Sequence, residues 1–233
     1  MMSDRHRVSG AGPHHRTDRF ERPLVPSKKA LVRRPSPLLA DGLVTHVQRE
    51  KVDVGLAGEQ WEAYVEALRA HGWEIIEVEP ADDCPDSVFV EDTVVMYRNV
   101  ALITRPGAES RRGVQQLRAA FEPLGARVVA VPVSKVLHLK SAVTALPDGT
   151  VIGHIPKIDR PSLFPGFLSV PEESGAHVVL LGSGKVLMAA SAPKTAELLT
   201  DLGHDVVTVD ISEFEKLEGC VTCLSVRLRE LYA

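Results

Sequence analysis

Hydrophobic positions along this chain follow two periods. Near the C-terminus Leu224, Val226 and Leu228 alternate with Cys223, Ser225, Arg227 and Arg229. That period of two predicts a strand with one apolar face, and Gly219 turns the chain into it. Cys223 is therefore expected at a strand mouth, where a side chain can face a cleft. Trp61, Tyr64, Val65 and Leu68 fall at helical spacing and predict a helix over 57–70, stopped by Gly72. Val114, Leu117, Phe121 and Leu124 share the stripe of a second helix that Ser110 caps, and Pro193 opens a third that Gly203 ends. Strands are expected over 28–33, 74–78, 87–89, 94–97, 100–104, 127–131, 137–146, 150–153, 178–181, 185–188 and 206–209.

Taken in order, these elements suggest an α/β fold built from a repeated ββαβ unit. There is no G-x-G-x-x-G and no G-x-x-x-x-G-K-[ST], and Gly182-Ser183-Gly184 sits between two strands as a hairpin turn. Residues 1–22 carry Arg, His, Gly, Ser and Asp with almost nothing apolar and are expected to be a disordered tail. Residues 23–233 are expected to form one domain.

Composition narrows the picture. Hydrophobic residues make up 44%, enough for a sizeable core, but aromatics are only 5%, so Val, Leu, Ile and Ala must fill it. A net charge of −4 argues against a general nucleic-acid binder. No apolar run reaches membrane-spanning length, and the polar, basic N-terminus is no secretory signal. With three cysteines, an odd number, a reduced cytoplasmic compartment is the simplest expectation.

Three segments besides the Cys223 strand carry chemistry. Asp86-Ser87-Val88-Phe89-Val90-Glu91-Asp92 brackets an apolar run with carboxylates, and a delocalised cation such as a guanidinium wants paired planar carboxylates. On a strand, only one of Glu91 and Asp92 would share a face with Phe89; a solvated strand end is the plain alternative. In Leu137-His138-Leu139-Lys140 the histidine and lysine share one strand face, and a histidine beside a thiol can move protons near neutral pH. In Thr104-Arg105-Pro106-Gly107-Ala108-Glu109-Ser110-Arg111-Arg112, arginines at a helix start oppose the macrodipole, which points to a ligand carboxylate or else to a surface pair. Cys223 itself reads as a nucleophile, a buried structural thiol, or a metal or redox partner of Cys220.

These segments in one chain, in this order, resemble the dimethylarginine dimethylaminohydrolases of the guanidino-group-modifying superfamily, the penteins. The resemblance runs from about Lys28 to Val226. It implies a propeller of ββαβ modules around a central channel. It also implies hydrolysis of methylated arginine to citrulline and a methylamine, with no cofactor and no metal. Carried over residue by residue, Cys223 matches the nucleophile and His138 the general acid/base. Asp86, Glu91 and Asp92 match substrate-holding positions, Arg111 the grip on the amino-acid end, Leu43 the loop that closes the pocket, and Leu217 a backbone carbonyl that touches substrate.

One departure is large. Family members carry a further segment, with a Gly-Gly-Asp-type turn preceded by a carboxylate and then a Gly-Arg-Thr-Asn-like loop, between the Ser-Arg-Arg-Gly motif and the helix leading to Leu-His-Leu-Lys. Here Gly113 runs straight into Val114-Gln115-Gln116-Leu117. By the resemblance, most of one of the five modules is missing, and with it a catalytic acid and a second substrate arginine. Such a ring closes with four modules or leaves an unpaired edge, which invites association with a second copy. The competing readings are an arginine deiminase-like enzyme, an inactive guanidine-binding remnant, and a zinc or redox protein that uses Cys220 and Cys223.

Overall fold

The computed structural model describes residues 28–97, 100–103 and 111–229. Residues 1–22, Ser110 and the Arg105-Pro106-Gly107 turn lie outside the described residues.

The same small pattern recurs: two antiparallel strands, a crossover, and a third strand parallel to the second. Strand β1 (Lys28–Val32) is followed by helix α1 (Val54–Ala70) and β2 (Trp73–Glu77), which pairs parallel to β1. The antiparallel partner of β1 is the last strand of the chain, Val226–Arg229. α1 is capped where the Asp53 side chain accepts from the Leu56 N–H, and it buries Trp61, Tyr64, Val65 and Leu68 against this sheet.

The hairpin β3 (Val94–Tyr97) and β4 (Val100–Ile103) leads into α2 (Arg111–Phe121). The expected strand over 127–131 does not form: this stretch has no ladder partner, and Val129 is half-exposed. A run of β-branched residues makes a strand possible, but a neighbouring edge has to complete it.

Next come β5 (Val143–Ala145), β6 (Val151–Gly153) and β7 (Phe167–Ser169), with β5 antiparallel and β7 parallel to β6. Pro156, Pro161 and Pro165 rule out an α-helix in this crossover, which runs instead through 3-10 turns at Ile155–Lys157 and Pro161–Leu163. The last unit is the most regular. β8 (Val178–Gly182) and β9 (Lys185–Ala189) form a hairpin, α3 (Pro193–Asp201) crosses over, and β10 (Asp205–Val209) pairs parallel to β9. Ser183 (φ 52°) and Gly184 (φ 78°) make the left-handed turn that such a hairpin needs.

A short helix α4 (Ser212–Glu215) leads to the Cys223 turn and then to the last strand, β11 (Val226–Arg229). The largest core cluster joins Val32, Trp61, Tyr64 and Leu68 to Leu181, Phe214, Val221, Cys223 and Leu224. A second joins Ile152, Val178, Val186, Met188 and Leu199.

Three expected strands give way to turns. Residues 87–89 form successive i→i+3 turns, with Ser87 N–H donating to Cys84 C=O at 3.1 Å and Phe89 N–H to Asp86 C=O at 3.1 Å. Of the expected strand over 137–146 only β5 forms. His138 is extended, but Leu139–Ser141 closes into a 3-10 turn, so His138 and Lys140 do not share a strand face. Cys223 lies on the turn before β11, which starts three residues later. In each case a short run of strand-like residues is present, but local i→i+3 hydrogen bonds close the chain into a turn instead.

Candidate active site

The Cys223 turn is fixed from several sides. Cys223 N–H donates to Cys220 C=O at 3.0 Å, and Cys223 C=O accepts from Glu91 N–H at 3.2 Å. The Tyr64 hydroxyl donates to Val221 C=O at 2.9 Å and lies 2.7 Å from Ser225 Oγ. Burial pushes the Tyr64 phenol up to about 12, so it remains a donor across the ordinary pH range. Arg227 reaches back from β11, donating through Nη1 to Thr222 C=O and Ser225 and through Nη2 to Glu91 Oε1 at 2.9 Å.

Around this turn the structure gathers Glu91, Asp92, His138 and Lys140. His138 Nδ1 lies 3.9 Å from Asp92 Oδ2. Lys140 Nζ lies 3.9 Å from Glu91 Oε2 and 3.7 Å from Asp92 Oδ1, and it donates to Glu91 C=O. The two acids thus serve one lysine rather than opposite faces, because they sit in a turn and not at a strand end. Asp92 thus meets the imidazole on the element whose preceding residue, Glu91, holds the Cys223 carbonyl.

Burial pushes the carboxyls of both Glu91 and Asp92 above their usual range. Arg227 and Lys140 oppose this at Glu91, and His138 and Lys140 at Asp92. A carboxyl raised in the folded state ionises first in the unfolded chain. Stability is therefore lost as pH rises from about 4, the ordinary carboxylate value, towards neutrality. Asp92→Asn removes its share of that loss. The melting temperature of this variant, taken relative to the parent, is expected to climb between about pH 4 and pH 7 even as turnover falls. A difference independent of pH would contradict a raised Asp92.

A second group assembles beside the first. Leu43 N–H donates to both carboxylate oxygens of Asp86 at 3.1 Å, and the Leu43 side chain is 55% exposed. Leu217 is buried, its Cδ1 3.3 Å from where a side chain on Gly42 would begin. Glu218, in the left-handed region at φ 59°, accepts from the N–H groups of Thr45, His46 and Val47 and so ties down the loop after Leu43. These amides hold its carboxyl below the usual range despite partial burial. Between the two groups lies Phe89, packed so closely on Gly219 that a Cβ there would meet Phe89 Cε1 at 2.4 Å. A cleft of about 260 Å³ opens beside Val47, Leu137, Ser141, His177, Glu218 and Gly219.

Of the residues singled out in the sequence, Cys223, His138, Glu91 and Asp92 come together, as do Asp86, Leu43 and Leu217. Arg111 begins α2, and its side chain lies outside the described residues. The site residues carried over from the motifs did not include Arg227, Glu218, Lys140 or Cys220, although Lys140 was placed beside His138 and Cys220 read as a metal or redox partner of Cys223. An arginine on an otherwise apolar strand entry was the available signal for the first. Among the described residues, no group of three or more His, Cys, Asp or Glu converges on a metal position, and no helix is long and apolar enough to cross a membrane.

No family model matches the chain. It is 70% identical to the N(G),N(G)-dimethylarginine dimethylaminohydrolase of Streptomyces coelicolor over 257 residues, covering 89% of this chain and 100% of the relative. The chain belongs to the dimethylarginine dimethylaminohydrolase family. A second member, from Pseudomonas aeruginosa, is 31% identical over 86% of this chain and 99% of its own length. The aligned length of 257 exceeds the 233 residues here, so the Streptomyces dimethylarginine dimethylaminohydrolase carries residues with no counterpart in this chain.

Solved structures agree. A dimethylarginine dimethylaminohydrolase histidine-to-glycine variant, captured as an adduct with S-methyl-L-thiocitrulline, superposes with a TM-score of 0.76 at 29% identity, covering 87% of this chain and 100% of that one. The Pseudomonas aeruginosa enzyme as a cysteine-to-serine variant with citrulline gives the same TM-score, identity and coverage of this chain, and covers 99% of that one. The N-terminal domain of the cyanobacterial arginine dihydrolase ArgZ reaches 0.69 at 16% identity, covering 86% of this chain and 97% of that one, which bears on the fold alone. The architecture is thus α/β of the pentein class, as the sequence motifs implied.

Proposed function

We propose that this chain hydrolyses N-omega-methylated arginines to citrulline and a methylamine, with Cys223 as nucleophile and His138 as general acid and base. The observation that carries this reading is the gathering of the acids and the imidazole at the Cys223 turn: Glu91 N–H donates to Cys223 C=O at 3.2 Å, and the next residue, Asp92, lies 3.9 Å from His138 Nδ1. Membership of the family supports the substrate class, and two solved relatives hold citrulline or a thiocitrulline adduct.

In the free protein Cys223 is a protonated thiol. The bond to Cys220 and burial raise it, and the Asp92 carboxylate adds to that. A bound guanidinium reverses the balance, because a cation beside the sulfur favours the thiolate, and the thiol proton passes to His138. The thiolate then attacks the guanidinium carbon. A C–S bond forms, and the C=N pair moves onto nitrogen. His138 protonates the departing methylamine, the C–N bond breaks, and a thiouronium remains on Cys223. His138 next takes a proton from water, which adds to the carbon; the C–S bond breaks and citrulline leaves. Glu91 and Asp92 orient the guanidinium, while Asp86, Arg111, Leu217 and the Leu43 loop hold the amino-acid end. No cofactor or metal enters the scheme. The protein is expected to act in the cytoplasm as one domain from residue 23 onward.

We assign the segment missing relative to the Streptomyces enzyme to the junction after Gly113. The strandless stretch 127–131 supports this, since it follows α2 as a final module strand would and finds no partner. We match no remaining Asp or Glu to the lost catalytic acid, so the rate is expected to be low, and the open edge favours pairing with a second copy. The test is citrulline release from asymmetric dimethylarginine, monomethylarginine and arginine. Turnover of the methylated substrates below that of the Streptomyces enzyme supports the reading. An equal rate would sink the impairment, preference for arginine would make the chain a deiminase, and binding without turnover would make it a remnant.

A further inference from the structure

The turn that presents Cys223 carries a second sulfur that hydrolysis does not use. Cys220 and Cys223 are the end residues of one tight turn, and their Sγ atoms lie 3.3 Å apart. A β-turn keeps its end Cα atoms within about 7 Å, close to the span a disulfide bridges. Closing the remaining gap to the bonded distance of about 2.05 Å takes side-chain rotation rather than backbone movement. The backbone is in any case held by Tyr64, Arg227 and the Glu91 N–H.

We propose that Cys220 and Cys223 form a reversible disulfide when a small hydroperoxide enters the site, and that this bond switches hydrolysis off by consuming the nucleophile. The second half rests on the reading of Cys223 given above. Gly219, next to Cys220, lines the open cleft, while both sulfurs are nearly closed off, at 4% and 1% exposure. Sulfurs so nearly covered present the smallest barrier to a molecule the size of hydrogen peroxide and the largest to one as bulky as glutathione disulfide.

The surroundings favour one order of events. Cys220 Sγ also lies 3.1 Å from Thr222 Oγ1, and its bond to Cys223, with His177 and Thr222 and against burial, holds the Cys220 thiol down, while the shared bond raises Cys223. The Cys220 thiolate therefore attacks one peroxide oxygen. An S–O bond forms, the O–O bond breaks, and the departing hydroxide takes the proton released from Cys220 to become water. The Cys223 sulfur then attacks the Cys220 sulfenic acid. An S–S bond forms, the S–O bond breaks, and the hydroxyl leaves with the Cys223 proton as a second water. Two electrons pass from the two thiols to one peroxide.

The experiment uses the full chain carrying Cys84→Ser, since Cys84 is an exposed third thiol. After hydrogen peroxide treatment and alkylation, intact-mass and peptide mass spectrometry are expected to show the loss of two hydrogens, two fewer alkylatable thiols and a link between Cys220 and Cys223. Dithiothreitol restores both thiols, citrulline release falls and recovers in step, and glutathione disulfide has no effect. With Cys220→Ser added, peroxide gives no such link, and oxygen adducts accumulate at Cys223 that dithiothreitol does not remove. Both thiols staying alkylatable, or oxygen addition without a link in the Cys84→Ser chain, would overturn the disulfide. The mass readout needs no turnover, so a linked pair in a chain that releases no citrulline would count against the hydrolytic reading alone.

Discussion

Cys223→Ser is expected to reduce citrulline release by at least about a thousandfold, to the level of a blank without enzyme. The substitution keeps the size and hydrogen-bonding capacity of the side chain but replaces a thiol with a hydroxyl that no neighbour can ionise. Asp92, His138 and Lys140 remain in place around it. The turn is held through its backbone, by Glu91 N–H on Cys223 C=O and by Tyr64 on Val221 C=O, so the fold should persist. The check is a paired measurement of turnover and melting temperature. Lost turnover at a nearly unchanged melting temperature marks a chemical role, whereas a large fall in both would make Cys223 a structural thiol.

Arg227→Met is the variant expected to cost most in stability. Arg227 is largely buried and ties Thr222, Ser225 and Glu91 together, with Nη2 2.9 Å from Glu91 Oε1. Glu91 is already raised by burial, and its Oε2 has no hydrogen-bond partner among the described residues. Removing the arginine leaves a buried carboxylate that only Lys140 opposes. Breaking a buried pair from one side costs about 3–5 kcal/mol, or roughly 10 °C in melting temperature for a chain of this size. The double variant Glu91→Gln with Arg227→Met should recover part of that loss, because it no longer buries an unpaired charge. A double variant as unstable as the sum of the two single ones would show that the pair is not coupled.

The sequence carried different parts of this picture with different clarity. The helical stripe of Trp61, Tyr64, Val65 and Leu68 located α1 because a period near 3.6 over several turns has no competing explanation. The hairpin at Gly182-Ser183-Gly184 was equally legible, since left-handed backbone is chemically expensive elsewhere. Alternation misled around the site. His138 with Lys140, and Cys223, carry a period of two, and 87–89 belongs to a short apolar run, yet all of them sit in turns. Signals this short leave the backbone to be decided by local hydrogen bonds and by neighbouring segments. From Cys220 to Val226 every residue is buried, which no pattern of polar and apolar positions could foretell.

The motif segments grouped positions that local periodicity could not relate, because they constrain several distant positions together. They placed Asp86 near Leu43, and Asp92 near His138 and Cys223, across long separations in the chain. They gave Arg227 no role and Cys220 only that of a metal or redox partner, because the contacts of both come from neighbours in space. Arg227 matters because it closes onto Glu91, and Cys220 because one turn sets its sulfur against that of Cys223.

The most direct test is to trap the intermediate. The chain is mixed with asymmetric dimethylarginine, quenched in acid within the first turnover, digested and examined by mass spectrometry. The account predicts a thiouronium adduct on the peptide containing Cys220 and Cys223, fragmenting to place it on Cys223 and absent from Cys223→Ser. Citrulline release with no adduct there, or an adduct fixed on Cys220 instead, would contradict it.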